Sequence, residues 1–165
     1  MIIRVAEIPD EGLQIEGLDA FPQPFHDPAW RLDDLSLTVE KDGDAVFVRG
    51  RLGARVPQHC GRCLEPHTVT VRAQVDARFV PSRRERGEEF ELGADDLETD
   101  VYDKGVIDLN TLVETETTLL LPMKPLCRED CRGLCPNCGI DWNTAACACA
   151  EKAVDPRLEV LRNFK

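Results

Sequence analysis

Residues 126–150 read LCREDCRGLCPNCGIDWNTAACACA and hold six of the chain's eight cysteines: Cys127, Cys131, Cys135, Cys138, Cys147 and Cys149. The other two stand upstream as Cys60-Gly-Arg-Cys63, so no cysteine lies outside a closely spaced pair. Short C-x2-C turns suit a tetrahedral metal, because neighbouring backbone amides stabilise the thiolates. Cys135-Pro-Asn-Cys138-Gly139 has that form: the proline shapes the turn, and the glycine permits a positive φ. Cys147-Ala-Cys149 then closes a four-thiolate set after a loop of eight residues.

Eight cysteines divide into two such sets. In one scheme Cys60 and Cys63 are completed by Cys127 and Cys131; in a rival scheme four of the six C-terminal cysteines bind one ion and Cys60–Cys63 stays metal-free. The expected cofactor is therefore zinc, one or two ions. Two filled sites move the formal net charge of −11 to −15.

Other uses of cysteine fit less well. The N-terminal MIIRVAEIPDEG lacks the apolar core and small-residue cleavage site of a secretory signal, and no apolar run approaches the roughly 18 residues of a membrane span. A cytoplasmic protein is expected, where thiols stay reduced and disulfides are disfavoured. A thioredoxin-like pair opens a helix, whereas strand-like sequence follows Cys63. C-P-x-C-G followed by C-x-C matches a zinc ribbon better than ferredoxin spacings. Catalysis finds no phosphate-binding glycine loop, HExxH or nucleophile elbow. His59 and His67 flank the first pair and read as substitute ligands or, more simply, as hydrogen-bonded surface residues.

Outward from the cysteines, the chain reads as β-rich. Leu35–Val39 and Ala45–Leu52 alternate with period two around Lys41-Asp-Gly-Asp44, a hairpin turn signal. Val69–Phe79 alternates for eleven residues, so Cys60–Cys63 falls at the turn between two strands. Ile2, Ile3 and Val5 open a further strand, and Phe21-Pro-Gln-Pro-Phe25 reads as irregular linker. Residues 81–105 are polar and read as a mobile loop with at most one short strand near Val101-Tyr102. Asp108 is a helix N-cap, with Leu109, Leu112, Val113, Glu116, Leu119 and Leu120 at helical spacing up to Pro122. Asp155-Pro-Arg-Leu opens a short terminal helix. The expected fold class is α+β: an antiparallel β-rich domain over residues 1–122 with a helix at about 108–121 and the knuckle at 60–63. A zinc-ribbon-like cysteine cluster over residues 123–165, with the short terminal helix, packs on it.

Charge is unevenly spread. Residues 1–48 carry a net −8 and residues 87–118 a net −10, whereas residues 49–86 hold nine arginines for a net +6. Such a segment supplies phosphate contacts inside an acidic protein, or else pairs with its acidic flanks.

The ordered motifs Cys60-x-Arg62-Cys63-Leu64-x-Pro66, Leu121-Pro122-x-x-Pro125-Leu-Cys127, Cys131-x-Gly133-Leu-Cys135-Pro-x-Cys138-Gly139, Cys147-x-Cys149 and Asp155-Pro-Arg-Leu158 resemble the YceD family, over about residues 30–165. That resemblance implies a non-enzymatic role in ribosome biogenesis, supporting accumulation of large-subunit ribosomal RNA. It implies as partner that RNA, a ribosomal protein or an assembly factor, and neither a membrane nor a small-molecule substrate. With the charge pattern it leads us to expect RNA contacts at Arg49, Arg51, Arg55 and Arg62, and contact of acidic residues 88–103 with a basic protein. Two readings from other classes are a redox-responsive zinc–thiolate protein and a DNA-binding zinc ribbon, the latter disfavoured by a pI of 4.7.

Overall fold

The computed structural model describes residues 1–82 and 99–149. The two alternating stretches around Lys41–Asp44 belong to much longer strands, β3 (Arg31–Asp42) and β4 (Ala45–His59). They pair antiparallel from Arg31↔Arg55 to Asp42↔Ala45, with a bulge between Leu32 and Asp34, and turn over at Gly43 with φ 60. β5 (Pro66–Pro81) keeps strict alternation: Val71, Ala73, Val75, Ala77 and Phe79 are buried, while Arg72, Gln74, Asp76 and Arg78 are exposed. β2 (Leu13–Glu16) adds antiparallel to β3. β6 (Thr99–Tyr102) adds to β5 in parallel, giving the order β2-β3-β4-β5-β6. β1 (Ile2–Arg4) and β7 (Val106–Asp108) form a separate antiparallel pair, which leads into α1 (Leu109–Leu119). This is the expected α+β class with one main helix, although the sheet is mixed at its β6 edge.

Among the described residues the chain divides into two compact units. One comprises Met1–Gln58 and Thr68–Met123; the other comprises His59–His67 and the chain from Lys124 on. The first unit buries one face of its five-stranded sheet, with Leu37, Val39, Val46, Val48 and Leu52 almost wholly covered. Leu109, Leu112 and Val113 of α1 join the same core. The helix starts where expected, the Asp108 carboxylate accepting from Asn110 N at 2.9 Å. Its apolar face ends early. Thr117 takes the buried position, its hydroxyl donating to Val113 O at 2.7 Å, while Leu119 and Leu120 are 73% and 47% exposed. Leu119, two residues past Thr117, lies on the other side of the helix, and Leu120 is the C-cap, beyond the last helical residue.

The segment read as linker also departs from expectation. Phe21 and Phe25 lie within irregular backbone but are buried in the first unit's core, and Phe25 packs on Trp30 with ring centroids 5.4 Å apart. Two aromatic rings removed from water stabilise a fold by roughly 1.5–3 kcal/mol each, reason enough for a proline-braced loop to be held in place. The terminal helix expected from Asp155, the residues Arg83, Arg84 and Arg86, and the acidic run 88–98 lie outside the described residues. No helix among the described residues is long and apolar enough to cross a membrane.

Two features of this unit can be tested directly. Gly50, opposite Leu37, has φ 154, and a Cβ there would meet Ser36 O at 2.0 Å and Leu37 Cα at 2.9 Å. Both obstacles are backbone, so Gly50→Ala is expected to cost about 2–4 kcal/mol, read as a shifted denaturant midpoint. Across the loop, His26 Nδ1 lies 2.6 Å from Glu114 Oε2, and His26 N donates to Glu114 Oε1. The hydrogen bond and the charge of Glu114 raise the His26 pKa above 6.5, while the same hydrogen bond lowers that of Glu114 below 4.5. The histidine's contribution is full below pH 6.5 and lost as pH rises through its raised value; the carboxylate's is full above pH 4.5 and lost as pH falls through its lowered value. His26→Ala should therefore lower thermal stability most between these limits, with a smaller effect once pH exceeds the raised histidine value.

Candidate metal centre

Each cysteine pair is placed by a short turn, and the two C-x2-C turns are built alike. Cys60 N donates to Glu65 O at 2.9 Å, and Leu64 N to Cys60 O at 3.0 Å. In the second turn Cys135 N donates to Ile140 O at 2.8 Å, and Gly139 N to Cys135 O at 2.9 Å. The residue after the second cysteine is left-handed in both, Leu64 at φ 63 and Gly139 at φ 73. The same hydrogen-bond ring thus presents both sulfurs of each pair on one side of a tight loop.

The eight sulfurs gather into two groups: Cys60, Cys63, Cys127 and Cys131 in one, Cys135, Cys138, Cys147 and Cys149 in the other. Within each group all four sulfurs lie within 4.8 Å of one another. Cys60–Cys131 and Cys63–Cys127 are 3.7 Å apart, and Cys135–Cys147 are 3.5 Å apart. A tetrahedron with Zn–S bonds of about 2.3 Å has S···S edges of about 3.8 Å, whereas bonded disulfide sulfurs lie about 2.05 Å apart. The donor set and its spacing fit a metal ion in each tetrad. Among the described residues His59 and His67 join neither group, and the ring nitrogens of His67, expected at a hydrogen-bonded surface, are buried without a hydrogen-bond partner.

The surroundings of the thiols explain why a cation suits them. The backbone N–H groups of Cys63 and Cys127 pull the Cys60 thiol down to about 5, and the Trp142 indole N–H, at 3.4 Å, leads those that pull Cys147 down to about 6. The last thiol of each group resists ionisation. Burial and the neighbouring Cys63 sulfur push Cys127 up to about 12, and the Cys138 sulfur with burial does the same to Cys149. Each tetrad readily holds one thiolate but not four, and a divalent ion reverses the balance. Such a closed four-sulfur shell leaves no open position for substrate, which is the character of a structural site.

The first tetrad is enclosed, with Cys60, Cys63 and Cys131 buried beside Leu126 and Leu134. Cys138 and Cys149 of the second are exposed. Arg62, one of the arginines expected to meet RNA, is exposed, and its guanidinium donates to Cys131 O at 2.8 Å and Glu129 O at 3.3 Å. Among the other three, Arg55 is clamped by both Asp33 carboxylate oxygens at 2.7–2.9 Å. Arg49 is shared between Asp76 and Glu40 and lies over the Phe47 ring. Arg51 has no carboxylate partner among the described residues.

The architecture and site define a class: an α+β sheet protein carrying two four-cysteine clusters on knuckle turns, each able to hold a metal ion. The chain matches, over residues 48–165, the profile of the family described as large ribosomal RNA subunit accumulation protein YceD, and it belongs to that family. Uncharacterised proteins of Mycobacterium tuberculosis and Mycobacterium bovis are each 36% identical to it over 110 residues, 65% of this chain and 50% of theirs. One from Mycobacterium leprae is 33% identical over 109 residues, 64% of this chain and 47% of its own. The chain thus spans about half the length of the curated relatives it matches. No solved structure matches it.

Elemental analysis of untagged protein purified under reducing conditions is expected to give two zinc ions per chain, one for each tetrad. Replacing Cys63 or Cys138 with serine should remove one ion. A metal content unchanged by either substitution would overturn the two-centre assignment.

Proposed function

We propose that this chain is a zinc-stapled, non-enzymatic cytoplasmic protein that supports accumulation of large-subunit ribosomal RNA by binding that RNA on the solvent face of its five-stranded sheet. The eight cysteines act as ligands in the two groups described above. The family supplies the RNA; the observation that favours direct contact is the set of arginines on that face.

Arg49 and Arg51 on β4, with Arg72, Gln74, Asp76 and Arg78 on β5, are exposed at two-residue spacing, so each set projects from one side of its strand. The Arg49–Asp76 bond at 3.1 Å joins the two sets across the strands. Ser36 and Thr38 on β3 stand opposite Arg51 and Arg49 and extend the same face with hydroxyls. Arg51, Arg72 and Arg78 carry no carboxylate partner among the described residues, so their charge remains available. A flat β-surface with free guanidinium groups and a stackable Phe47–Arg49 pair suits single-stranded or irregular RNA, whose phosphates and splayed bases it can meet together.

The reading therefore shifts weight from Arg49, Arg55 and Arg62, which are engaged within the protein, to Arg51, Arg72 and Arg78. Reversing these three to glutamate should weaken binding to a large-subunit ribosomal RNA transcript at least tenfold. It should also flatten the slope of log affinity against log salt by about 2, on the basis of ~0.7 per lost single-strand phosphate contact. Binding and slope equal to wild type at low salt would reject this face.

A further inference from the structure

We infer that the two tetrads load as a coupled pair and that Asn143 is the positioning residue which couples them. This rests on reading both tetrads as metal sites. The loop of residues 139–146 belongs to the second tetrad, since its ends are Cys138 and Cys147. Its tip nevertheless serves the first. Asn143 Nδ2 donates to the Cys131 sulfur at 3.4 Å, while Asn143 Oδ1 accepts from Arg132 N and Arg128 Nη2, each at 2.8 Å. The adjoining Trp142 donates its indole N–H to Cys147 of the second tetrad at 3.4 Å and its backbone N–H to Gly133 O at 2.9 Å. Consecutive residues of one short loop therefore donate to a sulfur of each centre.

Coupling follows from what holds this loop. Asp141 braces the tip by accepting from Asn143 N and Nδ2 at 2.9 and 2.6 Å. An ion shared by the sulfurs of Cys138 and Cys147 pins both ends, adding to the bonds Gly139 N to Cys135 O and Cys135 N to Ile140 O that already hold the first. With them pinned, the Asn143 amide is already in place to offset negative charge on Cys131; with them free, ordering the loop opposes that contact. Filling the second centre thus raises the affinity of the first, and linkage requires the converse by the same factor. Arg62 adds to the arrangement by donating to Cys131 O, while its own carbonyl accepts from Leu134 N at 3.2 Å, on the strand-like segment that meets Asp141.

The test uses the full chain, stripped of metal under anaerobic reducing conditions and titrated with zinc. Native mass spectrometry at half-saturation should show mainly metal-free and two-zinc chains, with the one-zinc species depleted well below the roughly one-half expected for independent equal sites. Zinc affinity of the first tetrad, measured by chelator competition, should fall about tenfold or more in C135S/C138S. It should fall similarly in N143A, and the combined variant should be no weaker than either, because the amide contact is the shared route. Statistical one-zinc populations in the unsubstituted chain would overturn the coupling and leave the two metal sites standing. Full coupling in N143A would remove Asn143 from it. A chain that binds no zinc would overturn the metal reading itself, a different failure.

Discussion

Four thiolates within 4.8 Å of one another repel, and no arrangement of backbone N–H donors removes that repulsion. The knuckle turns, the donors aimed at Cys60 and Cys147, and the burial of Cys60, Cys63 and Cys131 are consistent with a site in which a doubly positive ion supplies the missing charge. In an acidic chain whose aromatics make up 5% of residues, such an ion would do the stabilising that larger side chains supply elsewhere. Among the described residues the second unit's buried cluster consists of Cys60, Cys63 and Cys131 flanked by Leu126 and Leu134, so sulfur fills it more than hydrocarbon does.

The first unit is stabilised differently. Long, regular strands bury Val, Leu and Ala on one side, leaving the other free for arginine, glutamine, serine and threonine. Gly50 and Gly53 let strands approach where a side chain would meet Ser36 O or the Asp34 carboxylate. The first unit thus buries a hydrocarbon core, and the described part of the second buries sulfur. The arginines on the open sheet face are displayed by elements whose own stability does not rest on metal.

What could be read from the sequence was what local chemistry determines. The hairpin at Lys41–Asp44, the alternation of β5, the Asp108 cap and the C-x2-C turns each announce themselves within a few residues. The division of the cysteines into two groups could only be counted, because Cys60 and Cys131 are 71 residues apart and nothing local joins them. Cross-strand pairing was equally hidden. A run of arginines gives no sign that Asp33 clamps Arg55 or that Asp76 shares Arg49, since these partners come from neighbouring strands. Phe21 and Phe25 were obscured by their prolines, which signal irregular backbone truthfully but say nothing of burial. Asn143 escaped notice because an asparagine after Asp-Trp looks like turn chemistry, and only the fold brings its amide to Cys131.

The two clusters also differ in how far along the chain their members are scattered. The second closes over a separation of 12 residues between Cys135 and Cys147, whereas the first must join residues 64 and 71 positions apart. Loop-closure entropy makes the longer reach harder by roughly 1–2 kcal/mol, but the larger consequence is temporal. During synthesis Cys60 and Cys63 emerge well before Cys127 and Cys131 exist. Over that interval they are an unmatched dithiol, open to oxidation or to capture of a wrong metal. Residues 68–123, which separate the halves, include β6, β7, α1 and most of β5, the elements that complete the first unit. Completing the first cluster therefore reports that this unit has been made, and a nascent chain stalled within it would betray itself by two free thiols.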